Sequence, residues 1–166
     1  MSKDITNLIE ESVDVALDSL LLEGGIIYRT QDERNNEGDY YIHVHVGDSA
    51  IPKDGPSAGI PLLWALLGRL INESIQPNLG ATGEIDLQLG ILGAVGGIRE
   101  KAIAAHRAGI KRFIISCDNE RDLDEVPWEI KDKIQFVPKR FWWETLEEAF
   151  PHNQHIRSYI EKRRNS

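Results

Sequence analysis

The chain has 166 residues, 41% hydrophobic and 28% charged, a composition that suits one soluble globular domain with a buried core. A formal net charge of −8 leaves no general basic surface to meet phosphate, which argues against nucleic-acid binding; the Lys162-Arg163-Arg164 cluster reads as a solvated terminal tail. One cysteine, Cys117, excludes an internal disulfide framework and a multi-cysteine metal site, and its place at a predicted strand end makes it a packing residue.

Residues 3–21 carry Ile5, Leu8, Ile9, Val13, Ala16, Leu17 and Leu20 at helical spacing, with Glu10, Glu11, Asp14 and Asp18 mostly on the other side. The pattern predicts an amphipathic helix that Gly24-Gly25 ends. Residues 26–28 read as a short strand and 31–38 as a polar loop. Tyr40, Ile42, Val44 and Val46 then alternate with Tyr41, His43 and His45, predicting a strand with two distinct faces. His43 and His45 stand at i and i+2, a spacing that a metal can use, but the third ligand is missing nearby and no metal is expected.

Pro52-Lys53-Asp54-Gly55-Pro56-Ser57-Ala58-Gly59 sets one serine among glycines and prolines, directly before an apolar run over 60–71. Gly55 and Gly59 permit a sharp turn and Pro56 fixes φ. Ser57 then opens a helix predicted over 57–72, so near-apolar that it should lie at the centre of the fold. Free N–H groups and the positive dipole end at such a start can hold an oxyanion, with the backbone at Gly55 and Ala58 as donors. The same composition also describes an ordinary helix entry without chemistry.

Farther on, Gly80-Ala81-Thr82-Gly83-Glu84-Ile85 leads into Leu87, Leu89 and Ile91, a strand or tight β-ribbon broken by Gly90 and Gly93. Gly96-Gly97-Ile98-Arg99-Glu100-Lys101 introduces a helix over 98–108 that Gly109 closes. Residues 111–116 form a buried strand, 118–125 an acidic loop with at most one helical turn, and 134–137 a strand ended by Pro138. Residues 141–150 form a short helix with Phe141, Trp142, Leu146 and Phe150 inward. The expectation is an α+β fold, a mixed sheet packed with helices: one domain over 1–150, then a polar tail or short helix over 151–166 with one apolar stripe at Ile156, Tyr159 and Ile160.

A serine hydroxyl is too weak an acid to attack an amide unaided and needs an adjacent base. Lysine serves only when burial disfavours its charged form. Lys101 is suited to this, in the first turns of a helix whose positive end repels a cation, among the small residues Ala102, Ala104 and Ala105. Taken alone it reads instead as a solvated helix lysine beside Glu100.

The serine octet, the Thr82-Gly83-Glu84 segment and Gly96 to Lys101 together resemble the proteolytic domain of the Lon protease family, and the resemblance runs over roughly 4–150. It implies a Ser–Lys dyad of Ser57 and Lys101, in a serine peptidase acting on peptides or unfolded proteins. Thr82 would orient the lysine, and Asp54 and Glu84 would order the loop, Asp54 also controlling access to the serine. His43 and His45 would support the serine segment. It further implies a homo-oligomeric ring of six subunits, and chemistry without metal, nucleotide or other cofactor. No G-x-x-x-x-G-K-[ST] segment occurs, so ATP-independent action is expected. The chain departs from the family pattern in starting almost at the first helix, in one extra residue between Thr82 and Lys101, and in Ala94 where proline is common.

Two other readings stand beside this one. Gly55-Pro56-Ser57-Ala58-Gly59 also fits the G-x-S-x-G elbow of α/β-hydrolases, which would require Asp122 or Asp124 with His152 or His155. A Lon-like fold can equally be a catalytically inactive scaffold or binding module. Neither a signal peptide nor an apolar run of membrane-spanning length is evident, so a cytoplasmic location with no membrane partner is expected.

Overall fold

The computed structural model describes Ile26–Tyr28, Tyr40–Ile42 and residues 57–165. The predicted helix over 3–21, the loop over 31–38, His43, His45, Asp54 and Gly55 lie outside the described residues. Strands β1 (Ile26–Tyr28) and β2 (Tyr40–Ile42) pair antiparallel, with Ile27 opposite Tyr41. Next come helix α1 (Gly59–Leu70), strands β3 (Leu79–Ala81), β4 (Glu84–Ile85) and β5 (Leu92–Gly93), and helix α2 (Ile98–Arg107). Strand β6 (Arg112–Ser116), a 3-10 helix (Cys117–Glu125), helix α3 (Trp128–Lys131) and strand β7 (Gln135–Lys139) follow. A 3-10 turn (Trp142–Glu144), α4 (Thr145–Ala149) and α5 (Gln154–Arg164) complete the described chain. The fold is α+β, with parallel and antiparallel pairing in separate small sheets.

β6 organises the rest. It is the middle strand of a parallel sheet in the order β3-β6-β7, and all but its first residue are buried. Parallel strands need crossover connections: α2 returns the chain from the β3 side to β6, and the 3-10 helix with α3 carries it to β7. Successive side chains of a strand point to opposite faces. Ile114 accordingly enters a core with Ile60, Leu63, Trp64 and Leu67 of α1, Leu146 and Phe150, while Phe113 and Ile115 enter another with Ile98, Ala102 and Ala105 of α2. α1, which follows Ser57, and α2, which carries Lys101, therefore pack on opposite faces of one sheet.

α1 buries Ile60, Leu63, Trp64, Leu66, Leu67 and Gly68, the wide apolar face its composition announces. Pro61 stands in the first turn, where an N–H has no intrahelical acceptor to lose. The Trp64 indole donates to Thr145 Oγ1 at 3.0 Å, and that hydroxyl donates to Trp142 O at 2.6 Å, so two buried polar groups satisfy one another.

Several elements differ from expectation. Residues 117–125 form a 3-10 helix rather than a loop, because Ser116 Oγ accepts the Asp118 N–H at 3.2 Å and Asp118 and Glu120 lie at its positive end. Leu87 and Leu89 alternate like a strand but form a turn, with Asp86 Oδ1 accepting the N–H groups of Gln88 and Leu89 at 2.9 Å each. Pro138 does not end β7. It pairs with Ile115 in register. Gln135 N–H turns inward to Lys111 O at 2.8 Å, so by alternation Pro138 turns its missing donor to the outer side. Residues 141–150 divide into the 3-10 turn and α4.

Of the two forms expected for the last segment, it takes the helix, Gln154–Arg164. Asn153 Oδ1 caps α5 by accepting from His155 N and Ile156 N at 3.0 Å each, and Ile156, Tyr159 and Ile160 enter the α1-side core. Lys162, Arg163 and Arg164 occupy its last turn, complementing the helix dipole.

Candidate functional site

Ser57 is half-buried and precedes Ala58, the exposed residue at the N-cap of α1. Its backbone is tied to the exit of β3. Thr82 N donates to Ile114 O at 3.0 Å, continuing the sheet by one residue, and the Thr82 hydroxyl, 3% exposed, donates to Ser57 O at 3.1 Å. Gly83 N reaches the same carbonyl at 3.2 Å, and Ala58 and Gly83 form a parallel bridge. A Cβ at Gly83 would collide with Leu92 Cδ1, which is fully buried, so only glycine lets these strands close up. Leu62 N donates to Ala58 O at 3.1 Å, opening α1 and leaving its first-turn amides without intrahelical acceptors.

Lys101 comes from the other face of the sheet. Gly97, in the left-handed region at φ 71, turns the chain into α2 and accepts the Lys101 N–H at 3.0 Å. The Lys101 amine donates to Gly96 O at 2.6 Å, and burial holds its pKa below the ordinary lysine value. Glu100 pairs instead with Arg99 at 3.7 Å on the exposed side of the helix.

The loop between β5 and α2 is itself fastened. Ser116 Oγ donates to Leu92 O at 2.7 Å. Asn119, 2% exposed, accepts Val95 N at 3.0 Å through Oδ1 and donates through Nδ2 to Val95 O at 2.9 Å and to Asp122 Oδ2 at 2.6 Å. Sequence reading passed over Asn119 as one letter of an acidic stretch. The available signal was an asparagine just past a buried strand, where a short polar side chain readily bonds neighbouring backbone.

The structure thus brings Thr82 to Ser57, while the amine of Lys101 is bonded to Gly96 O. Among the described residues no hydrogen bond joins Ser57 to Lys101 or Thr82 to Lys101. The Thr82 hydroxyl spends its hydrogen on Ser57 and keeps acceptor lone pairs. Glu84 is exposed and pairs through its backbone with Gly93. The residues named for an elbow-type triad are placed otherwise: Asp122 holds Asn119, Asp124 is exposed, His152 lies in an exposed turn and His155 in the first turn of α5. Burial, and then the Glu120 and Glu144 carboxylates, push the Cys117 thiol up. Among the described residues no three His, Cys, Asp or Glu gather as a metal site would require, and no helix is long and apolar enough to cross a membrane.

Ser57 is thus half-buried at a helix start, and the Lys101 amine is held below its ordinary pKa. Comparison with known proteins identifies the family. Residues 2–152 match the family described as Lon protease (S16) C-terminal proteolytic domain. The Lon protease of Methanosarcina barkeri is 51% identical over 108 residues, 65% of this chain and 13% of that protein. That of Methanosphaera stadtmanae is 38% identical over 149 residues, 90% of this chain and 18% of that protein. The mitochondrial Lon protease homolog of Debaryomyces hansenii is 46% identical over 110 residues, 66% of this chain and 10% of that protein. The chain therefore spans less than a fifth of the length of these relatives.

Proposed function

This chain belongs to the Lon protease (S16) C-terminal proteolytic domain family, and from that premise we propose that it is a serine peptidase with Ser57 as nucleophile and Lys101 as general base. The observation that carries the assignment is the Lys101 amine, held by burial below the ordinary lysine pKa in the first turn of α2 and bonded to Gly96 O. Ser57 Oγ adds to a peptide carbonyl as its proton passes to Lys101 Nζ. Amides at the start of α1, with those around Gly55 and Ala58, receive the oxyanion. The C–N bond then breaks as Nζ returns the proton to the leaving amine, and water, deprotonated by Nζ, hydrolyses the ester and restores Ser57. For this the amine must exchange Gly96 O for Ser57 Oγ, with Thr82 Oγ1 as the acceptor that steadies it. Asp54, Glu84, His43 and His45 take loop-ordering and supporting roles.

Acyl transfer of this kind consumes no nucleotide, so peptides and unfolded proteins are the substrates and ATP is not required for their cleavage. A cytoplasmic homo-oligomeric ring is the assembly this reading favours. The test is labelling by a fluorophosphonate across pH 6 to 10. Ser57 should label, faster as pH rises because only the free amine accepts the proton, and the rise should come below the range of an ordinary lysine because burial lowers its pKa. Lys101→Ala should slow labelling by about 10²–10⁴-fold. Lys101→Arg should do the same, since arginine stays protonated throughout. Labelling indifferent to both substitutions would overturn the dyad.

A further inference from the structure

The described contacts of the Lys101 amine lead back, through one residue of backbone, to a buried side chain on the far side of the loop. The amine rests on Gly96 O. The peptide group just before it belongs to Val95, and both polar atoms of Val95 are taken by the amide of Asn119, Oδ1 accepting at 3.0 Å and Nδ2 donating at 2.9 Å. Asp122 Oδ2 accepts the other Nδ2 hydrogen at 2.6 Å, so the carboxylate fixes which way the amide faces. Asn119 is 2% exposed and sits in the 3-10 helix that continues from β6. A loop with no regular pairing of its own is thereby locked to the central strand.

Resting on the Ser57–Lys101 reading, we infer that Asn119, oriented by Asp122, is the positioning residue for the base: it clamps Val95 and so sets the Gly96 carbonyl and the start of α2 from which Lys101 works. Its own atoms touch neither substrate nor Ser57 in this mechanism. The clamp fixes where the loop lies and with it the partial burial of the amine. A side chain without the amide frees Val95 and lets the loop open, so the amine regains solvent and moves away from the serine. The effect falls on proton transfer, hence on kcat for a peptide substrate more than on KM.

Two readouts on the full chain test this: the pH titration of the Lys101 Cε resonance in 13C-lysine-labelled protein, and the rate of Ser57 labelling. Asn119→Ala is expected to move the titration upward, toward an ordinary lysine, and to slow labelling about tenfold at pH 7. Asp122→Asn, on a half-buried side chain, should move both in the same direction by less, and serves if Asn119→Ala fails to fold. A titration unmoved in the folded variants overturns the clamp, whatever happens to labelling. A titration that moves while Ser57 labelling is the same with and without Lys101→Ala upholds the clamp's hold on the Lys101 amine and overturns the dyad.

Discussion

Thr82 carries more at the residue scale than a turn threonine needs to. Its backbone N–H completes the pairing with Ile114, and its buried hydroxyl holds the carbonyl of Ser57. A hydrogen bond of this type is worth about 0.5–1.5 kcal/mol net, enough to matter for a carbonyl that sets the direction of the next side chain. Thr82→Val keeps the shape and removes the donor. It is expected to cost about 1 kcal/mol in urea denaturation and to lower the Ser57 labelling rate several-fold. Thr82→Ser, which restores the hydroxyl, should recover most of the rate. Equal rates in the two variants would mean that the hydroxyl contributes shape alone.

At the scale of elements, α2 depends on how it begins. Gly97 at φ 71 is left-handed, a conformation that costs an L-residue with a side chain about 1–2 kcal/mol. Gly96 beside it has no positive φ, and a Cβ there would meet open space. Gly97→Ala should therefore lower stability by about 1–2 kcal/mol while Gly96→Ala leaves it near wild type, as denaturant midpoints would register. Elements such as α1, α2 and β6 were legible because burial imposes a period on their apolar residues. Leu87 and Leu89 imitate that period in a turn, where the Asp86 carboxylate and not burial decides the backbone. The 3-10 helix was hidden because acidic residues look like loop until their helix-dipole and Ser116 capping partners are seen. In the candidate site, Ser57, Thr82 and Lys101 could be picked out from motif and spacing. Asn119 offered only its place just past a buried strand, because its burial is a property of the folded chain.

For the whole molecule, the sheet is a partition. α1 with α4 and α5 fills one side, and α2 with α3 fills the other. Thr82, just past β3, and Ser116 and Asn119, at and just past the end of β6, gather the anchors of both halves at the carboxyl ends of the parallel strands. α5 belongs to this frame: Ile156 and Ile160 are buried against the core that supports α1, and Arg163 stacks over the Trp142 and Tyr159 rings. Ile156→Ala should destabilise the fold by about 2–5 kcal/mol, seen as a lower denaturant midpoint at unchanged m-value. A loss below 1 kcal/mol would place α5 outside the cooperative unit.

Pro138 has a consequence for how copies of this chain can meet. β7 is outermost in its sheet among the described strands, and a flat outer strand is a template on which a second chain can add itself. With no hydrogen to offer at its fourth residue, that template is interrupted next to the end of a strand only five residues long. A growing stack of sheets would lose a rung at every junction there. Edge-to-edge addition of a second copy is thereby disfavoured at this border.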